Sequence, residues 1–312
     1  MNNTLQNNNI ELNDILSTVN SLPLKKAEQE KSVEITENGI VEVIPDDGKV
    51  LSKVSVTANI EGGGEEIKAL IEGTLTEISN DEIENIAKYT FYYRTSLTSV
   101  NFPTCTTIGS YAFCNCTSLT SMSFPACTSI GGSVFSNCKL LTSVNFPACT
   151  TIGSYAFFSM SMLTSVDFPV CTTIGNYAFS DCVRLSSINF PECTSIGLYA
   201  FTQCMSLTFA NFPKCTTIGA SAFSLAGQLK SINFPECISI GSYAFKQCQS
   251  LTSVNFPKCT IIGNGAFSSC TTLTSVDFPV CTTVEDNAFY LCKSLASIDL
   301  PACETIGSSA FY

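Results

Sequence analysis

Apolar and small polar residues follow one another in a fixed order from residue 97 to residue 312. The stretch LTSVNFPTCTTIGSYAFCNCTS, residues 97–118, returns every 22 residues through ten copies, the last of which begins at Leu295. Self-similarity at a fixed period of this length is typical of repeat proteins, whose units stack on one another. The pattern therefore predicts one continuous array of ten coils.

Each copy contains the signals of two short strands and a turn. Residues 100–102 alternate apolar, polar and apolar, which predicts a half-buried strand, and Pro103 ends it because proline lacks an N–H. Residues 105–108 predict a second extended segment, Gly109 a bend, and residues 112–113 one turn of helix. No coil can bury its apolar residues alone, whereas stacked neighbours can. We expect a mainly β repeat protein, a right-handed solenoid with a parallel sheet and short helical turns.

A family resemblance rests on these same residues. The pattern L-x-x-V-x-F-P-x-C-T-x-I-G-x-x-A-F-x-x-C-x-x resembles the BspA-like class of leucine-rich repeats. It is one residue shorter than the usual I-P-x-x-V-T-x-I-G of that class and carries Cys in place of Val. The resemblance covers about residues 75–312 and implies the leucine-rich-repeat solenoid fold. It also implies adhesion or recognition, although one fold serves many functions.

The N-terminal part divides into four predicted segments. Residues 1–24 predict a helix, in which Leu5, Leu12 and Val19 have the seven-residue spacing of a coiled coil. An amphipathic helix that packs on its own chain fits the same spacing. Three further segments follow in the chain: a small β-hairpin module at 32–60, an acidic linker at 61–66, and an N-terminal capping coil at 67–96.

The capping coil is expected to differ from the ten coils that follow it. Leu75 begins a stretch of 22 residues whose apolar residues match those of the repeat. Ser79 and Glu82 have the spacing of a helix capping box, which predicts a short polar helix that covers the first core layer. In the tenth coil, by contrast, residues 297–300 are expected to form a strand like those of the other coils.

A second resemblance covers about residues 32–80. VEITENGIVEVIPDDGKVLSKVSVTANI and IKALIEGTLTEIS are similar to segments of tail-associated structural proteins of phages of Gram-positive gut bacteria. In those proteins such segments precede repeat domains. The resemblance implies a virion or prophage structural protein.

Charge and hydropathy exclude several kinds of partner. Residues 1–96 carry 17 acidic and 8 basic side chains and residues 97–312 carry 9 and 7, which together give the net charge of −11. No basic cluster occurs, so nucleic acid is not an expected partner. No apolar run is long enough for membrane insertion, and the N-terminus lacks the pattern of a signal peptide. We expect a protein that is cytoplasmic at synthesis or part of a virion, with the cell surface as the alternative.

The 18 cysteines fall mostly into two ladders, one residue per coil. Met160 and Ala226 replace Cys in the second ladder, which indicates that this position requires a small or apolar buried side chain and not a ligand. In-register stacking also suits disulfide geometry poorly. We expect reduced, structural thiols, with Cys114 outside both ladders, exposed and reactive. The first ladder comprises Cys105, Cys127, Cys149, Cys171, Cys193, Cys215, Cys237, Cys259, Cys281 and Cys303, and the second Cys116, Cys138, Cys182, Cys204, Cys248, Cys270 and Cys292.

The residue types needed for catalysis are scarce. The chain has no His and no Trp, which removes the usual triads, general bases and zinc sites. The carboxylates of the repeats do not recur at a catalytic spacing, and Gly occurs at the bend and not in a phosphate-binding loop. We expect no enzyme, no metal and no cofactor.

Tyrosines at one repeat position form the first candidate for binding. They are expected to be exposed, and an exposed ring with a polar tip is frequent in recognition surfaces. Packing over the bend of the neighbouring coil explains the same pattern. This tyrosine ladder comprises Tyr111, Tyr155, Tyr177, Tyr199 and Tyr243.

Two further ladders are polar. Glu192, Lys214, Glu236 and Lys258 alternate in sign at the position after Pro, which fits ligand contact or charge pairing between coils. The other ladder, on the first strand, fits the solvated face of a sheet or a binding surface. It comprises Asn101, Asn145, Asp167, Asn189, Asn211, Asn233, Asn255, Asp277 and Asp299.

These observations lead to two hypotheses about function. In the first, a phage-tail-type recognition protein binds a host-surface protein or glycan through the solenoid, and its N-terminal region joins sister chains or a virion partner. In the second, a BspA-like bacterial surface adhesin binds host proteins.

The heptad pattern generates a prediction about self-association. If residues 1–24 form a coiled coil, the intact chain is a dimer or trimer, and removal of these residues shifts it toward a monomer. Light scattering of both proteins measures the difference. A monomer in both cases contradicts the coiled coil.

Overall fold

The computed structural model describes residues 75–312 and, in the N-terminal part, the backbone of three strands. These strands are β1 (Lys31–Ile35), β2 (Val41–Pro45) and β3 (Lys53–Val54). β2 pairs with both others in antiparallel orientation, within the segment for which the sequence predicts β-hairpins. The predicted helix of residues 1–24 and the predicted linker lie outside the described residues.

Residues 75–312 form a parallel β solenoid, which confirms the fold class expected from the repeat. In every described coil except the last, the first strand has three residues, and its central side chain points into the core. In-register pairing joins these strands into short sheets of two or three. The strands are β4 (Glu77–Ser79), β6 (Ser99–Asn101), β8 (Ser121–Ser123), β10 (Ser143–Asn145), β12 (Ser165–Asp167), β14 (Ser187–Asn189), β16 (Phe209–Asn211), β18 (Ser231–Asn233), β20 (Ser253–Asn255) and β22 (Ser275–Asp277).

The second strand of each coil has two residues and forms a sheet of 11 parallel strands. Each residue pairs with the one 22 positions away, as Ile152 does with Ile174. The strands are β5 (Asn85–Ile86), β7 (Thr107–Ile108), β9 (Ser129–Ile130), β11 (Thr151–Ile152), β13 (Thr173–Ile174), β15 (Ser195–Ile196), β17 (Thr217–Ile218), β19 (Ser239–Ile240), β21 (Ile261–Ile262), β23 (Thr283–Val284) and β24 (Thr305–Ile306).

The third side of each coil is a series of turns, and the short helical turns expected at residues 112–113 and their equivalents are wrong. Backbone N–H groups there donate alternately to the next coil and to the residue three positions earlier. Thus the N–H of Tyr111 donates to Gly132 (2.8 Å), whereas that of Ala112 donates to Gly109 (3.2 Å). A helix needs successive bonds within the segment. Stacking diverts every second N–H to the neighbouring coil, so no helix forms in residues 75–312.

The first described coil also corrects the sequence-based expectation of a short polar helix. Ser79, expected to be its N-cap, lies in β4 and pairs with β6. The Oδ1 atom of Asn80 accepts hydrogen bonds from the N–H groups of Glu82 (2.9 Å) and Ile83 (2.8 Å) instead. Pairing with β6 satisfies the backbone groups that a helix would otherwise satisfy, so the segment remains a turn.

The tenth coil lacks its first strand, contrary to the expectation for residues 297–300. It carries Leu300 where the preceding nine coils carry phenylalanine. Phe278 therefore has no ring to stack on in the next coil, and Ile298 and Leu300 are only partly buried. The second strand of this coil, β24, still pairs with β23.

Two columns of phenylalanine rings form the centre of the solenoid. The column from Phe91 to Phe311 stacks with centroid distances of 5.0–5.6 Å. The column from Phe102 to Phe278 stacks at 5.1–6.0 Å. Together they use 20 of the 22 phenylalanines, because 11 rings lie in the first column and nine in the second. Only Phe158 and Phe209 lie outside this core.

The cysteine ladders lie inside the solenoid, and all 18 cysteines are free thiols. In the first ladder each Sγ contacts the carbonyl oxygen two residues on, as Cys105 does with Thr107 (3.3 Å). In the second, Cys116 contacts the carbonyl oxygen of Phe91 in the preceding coil (3.1 Å). Burial raises the pKa of Cys116 to about 12. These thiols are therefore neutral packing groups.

The expectation that Cys114 is exposed and reactive is wrong. Its side chain is only 6% exposed, and burial raises the pKa of its thiol to about 11. Other coils carry small buried residues at this position, such as Ser136 and Ser180. The turn directs this residue against the neighbouring coil, which a comparison with the two cysteine ladders does not reveal.

Close approach of neighbouring coils favours glycine at the bend, which nine of the ten repeats carry, whereas the ninth has Glu285. A Cβ added to Gly175 would lie 2.6 Å from the backbone nitrogen of Ser154 and 2.9 Å from the carbonyl oxygen of Ile152. Positive φ is not the reason, since in residues 75–312 only Gly265 among the glycines has it. Gly227, by contrast, has open space around a Cβ.

These distances predict opposite effects for two Gly→Ala substitutions. Gly175→Ala should lower the free energy of unfolding by about 1–3 kcal/mol, because the backbone of the preceding coil must shift. Gly227→Ala should leave it unchanged or raise it by up to about 1 kcal/mol, since the unfolded chain loses freedom. Thermal unfolding of both variants measures this. Equal effects of the two substitutions contradict the close-approach explanation.

The buried thiols predict a loss of stability at alkaline pH. Their pKa is raised on folding, so the stabilisation is complete below the ordinary value near 9.0 and is lost as pH rises toward about 12. Urea midpoints in reductant should be constant between about pH 7 and 8 and fall above about pH 9. Replacing Cys182 and Cys204 by Ala, the residue at position 226, should make the fall less steep. The same pH dependence in that variant contradicts the thiol origin.

Candidate recognition surface

The tyrosine position of every coil has a left-handed backbone. From residue 89 to residue 309 its φ is 54–64° in eleven coils. This conformation costs about 1–2 kcal/mol for residues other than Gly, and less for Asn. The register of the turns imposes it, because it recurs whatever the side chain. Other coils carry Ser133, Ser221, Gly265 and Asn287 at this position, so the fold itself does not require tyrosine there.

Three consecutive tyrosines form a stack on the surface, which we name the central tyrosine stack. The ring centroids of Tyr155 and Tyr177 are 4.6 Å apart, and those of Tyr177 and Tyr199 are 4.7 Å apart. The planes deviate from parallel by only 6° and 8°. Ser133 and Ser221 interrupt the ladder on either side, so the stack is confined to the third, fourth and fifth repeats.

The stack belongs to a larger apolar patch. Phe158 contacts Tyr155 edge to face at 5.7 Å. Leu198 precedes Tyr199 in the chain and is 45% exposed, compared with 39% for Tyr155 and 37% for Tyr199. Desolvation and the neighbouring phenols raise the pKa of Tyr177, so its hydroxyl is a neutral donor and acceptor at physiological pH. The patch therefore presents aromatic rings, an aliphatic side chain and phenol hydroxyls.

The remaining tyrosines of the ladder lie beside lysines of the same chain. The Nζ atom of Lys88 lies 4.8 Å from the ring centroid of Tyr89 and 5.7 Å from that of Tyr111. Tyr89 and Tyr111 are themselves stacked at 5.0 Å. The Nζ atom of Lys246 lies 5.3 Å from the Tyr243 centroid. Both ends of the ladder thus make cation–π contacts within the chain.

The structure pairs the candidate charged residues with one another. Lys214 Nζ lies 2.6 Å from Glu192 Oε2, and Lys258 Nζ lies 2.6 Å from Glu236 Oε2. All four side chains are well exposed to solvent, so each pair contributes well under 1 kcal/mol. The sequence fits ligand contact or charge pairing between coils, and the structure shows the charge pairing. We therefore leave these four residues out of the proposed binding surface.

The polar ladder of the first strand is partly bonded to itself. Asn233 donates from Nδ2 to Oδ1 of Asn211 (2.6 Å), and Asn211 donates to Asn189 in the same way (2.7 Å). Each amide keeps a second N–H free for solvent. Among its neighbours, Phe209 replaces the serine of nine other coils and is 40% exposed. This face is a regular polar surface interrupted by one ring.

The described residues contain no arrangement suited to metal binding, since no group of three or more His, Cys, Asp or Glu meets there. Across residues 75–312 no helix is long and apolar enough to span a bilayer. The arrangement that residues 75–312 do offer is a stacked aromatic surface in a rigid frame.

Sequence reasoning identified the tyrosines but missed their partners. Phe158 is one of the two phenylalanines outside the two repeated columns. A comparison of the coils in the sequence therefore identifies it. Lys88 directly precedes Tyr89, yet its contact with Tyr111 depends on stacking across 22 residues. Leu198 stands where other coils carry Ser or Asn, such as Ser154 and Asn176. Residues that depart from the repeat were therefore the signal in the sequence for these neighbours of the tyrosines.

Fold and surface together define a solenoid of the leucine-rich-repeat class. Residues 84–208 and 194–312 match the family described as BspA type Leucine rich repeat region (6 copies). The chain belongs to this family. No curated protein matches the chain.

Three solved structures are similar to this chain. A leucine rich cell surface protein of Faecalibacterium prausnitzii A2-165 is 20% identical over 90% of this chain and 96% of its own, with a TM-score of 0.45. A leucine-rich repeat protein of Bacteroides ovatus ATCC 8483 is 21% identical over 92% of each chain, with a TM-score of 0.46. The pneumococcal vaccine antigen PcpA is 15% identical over 92% of this chain and 88% of its own, with a TM-score of 0.45. At this similarity, none of their properties transfers to the present chain.

Proposed function

We propose that this protein is a non-enzymatic recognition or adhesion protein that binds a protein on a host surface through the central tyrosine stack. The observation that carries the proposal is the Tyr155–Tyr177–Tyr199 stack, with exposed outer rings and a half-buried central ring, at a backbone position where the same fold accepts Ser, Gly or Asn.

Packing alone explains part of the stack but not all of it. Each stacked pair contributes about 0.5–1.5 kcal/mol, so two pairs contribute about 1–3 kcal/mol. The left-handed backbone does not favour tyrosine either, because Ser133 and Ser221 adopt the same conformation without any ring partner. A recognition role accounts for rings that stability does not require.

The family favours the adhesin hypothesis over the phage-tail hypothesis. Membership in the BspA-type repeat family supports a protein-binding or adhesion role, and location at a cell surface is part of this proposal. The resemblance of residues 32–80 to phage tail proteins lies mostly outside the described residues, and the matched family adds nothing to it. A glycan as the ligand and self-association through residues 1–24 also stay predictions.

Binding to host cells tests the proposal. The triple variant Tyr155→Ser, Tyr177→Ser and Tyr199→Ser should lose binding of the fluorescently labelled protein to host cells in flow cytometry. Its melting temperature should fall by only a few degrees, because two stacked pairs are lost while serine already fits this backbone at positions 133 and 221. Protease treatment of the cells should abolish binding if the ligand is a protein, whereas glycosidase treatment should abolish it if the ligand is a glycan.

A matched control separates recognition from general loss of surface aromatics. Tyr243→Ser removes one tyrosine of the same ladder, at the same backbone conformation, outside the central stack. It should leave cell binding unchanged. Full binding by the triple variant, or equal losses in the triple variant and Tyr243→Ser, would show that the central stack is not the recognition surface.

A further inference from the structure

The chain itself shows what a stacked pair of these tyrosines accepts. Tyr89 and Tyr111 form a stacked pair, and the Lys88 ammonium lies within 6 Å of both centroids, at 4.8 and 5.7 Å. At the other end of the ladder, Lys246 occupies a comparable position beside Tyr243. These distances are those of cation–π attraction. Two of the three tyrosine groups are therefore already in contact with a cation of the same chain.

The central tyrosine stack repeats the geometry but has no cation of its own. Its pairs are at least as close as Tyr89 and Tyr111, with centroids 4.6 and 4.7 Å apart. The position of Lys88 is taken there by Ser154 and Asn176, which carry no charge. The position of Lys246 is taken by Phe158, which is half-buried, and by Ser180 and Thr202, which are small and buried. In residues 75–312 no other Lys or Arg lies over a tyrosine ring.

The charge around the stack also favours a cation. The three repeats that carry it, residues 141–206, contain three acidic side chains and one basic side chain, Arg184. The acidic residues are Asp167, Asp181 and Glu192, of which Glu192 is paired with Lys214 of the next repeat. The whole chain has a net charge of −11, so a basic partner is attracted over a longer range as well.

We propose that the central tyrosine stack binds arginine or lysine side chains of a protein partner. Such a side chain takes the place that Lys88 takes beside Tyr89 and Tyr111, and its charge is drawn by the acidic surface. This inference rests on the proposed recognition function and names the chemistry of the partner, a basic segment of a protein.

Two exposed residues, Lys88 and Ser154, allow a reciprocal test. Ser154→Lys places a lysine of the chain beside Tyr155 and Tyr177, in the repeat position of Lys88, and should close the site. Lys88→Ser removes the lysine from Tyr89 and Tyr111 and should open a second site there. The double variant has the same net charge as the natural chain and should move binding from one pair to the other. None of these changes alters a tyrosine.

The probe is an unstructured Gly/Ser peptide with three arginines, compared with the same peptide carrying three glutamines. Selective labelling of tyrosine rings for NMR reports which rings respond. The arginine peptide should shift the signals of Tyr155, Tyr177 and Tyr199, and the glutamine peptide should not. Ser154→Lys should weaken binding by about three-fold or more, as expected for loss of a surface cation–π contact. In the double variant the shifts should appear at Tyr89 and Tyr111.

The inference would be overturned if the Ser154→Lys variant and the natural chain bound the arginine peptide equally. It would also be overturned if the affinity of the variants followed their net charge and did not depend on where the lysine lies. If the triple tyrosine variant lost cell binding but the arginine peptide did not shift the signals of the stack, the proposed function would stand and this inference would be rejected. If the arginine peptide bound at the stack but the natural chain did not bind host cells, this inference would stand and the proposed function would be rejected.

Discussion

Backbone pairing between coils in strict 22-residue register is the constraint on which the other features of the solenoid depend. Because each residue faces its own counterpart, an isoleucine, phenylalanine or cysteine is repeated as a column through the core. The short distance between coils excludes a Cβ at Gly175 and diverts every second N–H of the third side to the next coil. The same diversion leaves the tyrosine position with positive φ. Core, bend and surface thus follow from one geometric condition.

The surface inherits this period, which makes it suited to recognition. A side chain placed once per coil becomes a row with a spacing close to that of stacked aromatic rings. Three tyrosines in succession therefore form a stack without any additional scaffold, and a serine on either side limits its length. The Glu192–Lys214 and Glu236–Lys258 pairs arise in the same way, but they satisfy each other. The central tyrosine stack, in contrast, has no charged partner of the same chain among residues 75–312.

Positions inside the coils and positions on their surface differ in the substitutions that they accept from one coil to the next. Inside, Met160 and Ala226 replace cysteine in the second thiol ladder and remain fully buried, so packing tolerates changes of size within apolar chemistry. Outside, the tyrosine position accepts Ser, Gly and Asn in other coils, because the backbone alone decides its conformation. Differences between coils that are copies of each other therefore appear mostly at surface positions, such as those of Phe158 and Leu198.

The sequence by itself determined the repeat, the two strand ladders, the buried thiols and the tyrosine ladder, because each depends on residues within one 22-residue unit. It did not determine the turns of the third side, the strand at Ser79 or the burial of Cys114, since these depend on hydrogen bonds and contacts with the next coil. The contact of Lys88 with Tyr111 and the stack of Tyr155 on Tyr177 likewise exist only after stacking of the coils. Local patterns encode the coil, whereas the surface that a partner meets is created by the approach of residues 22 positions apart.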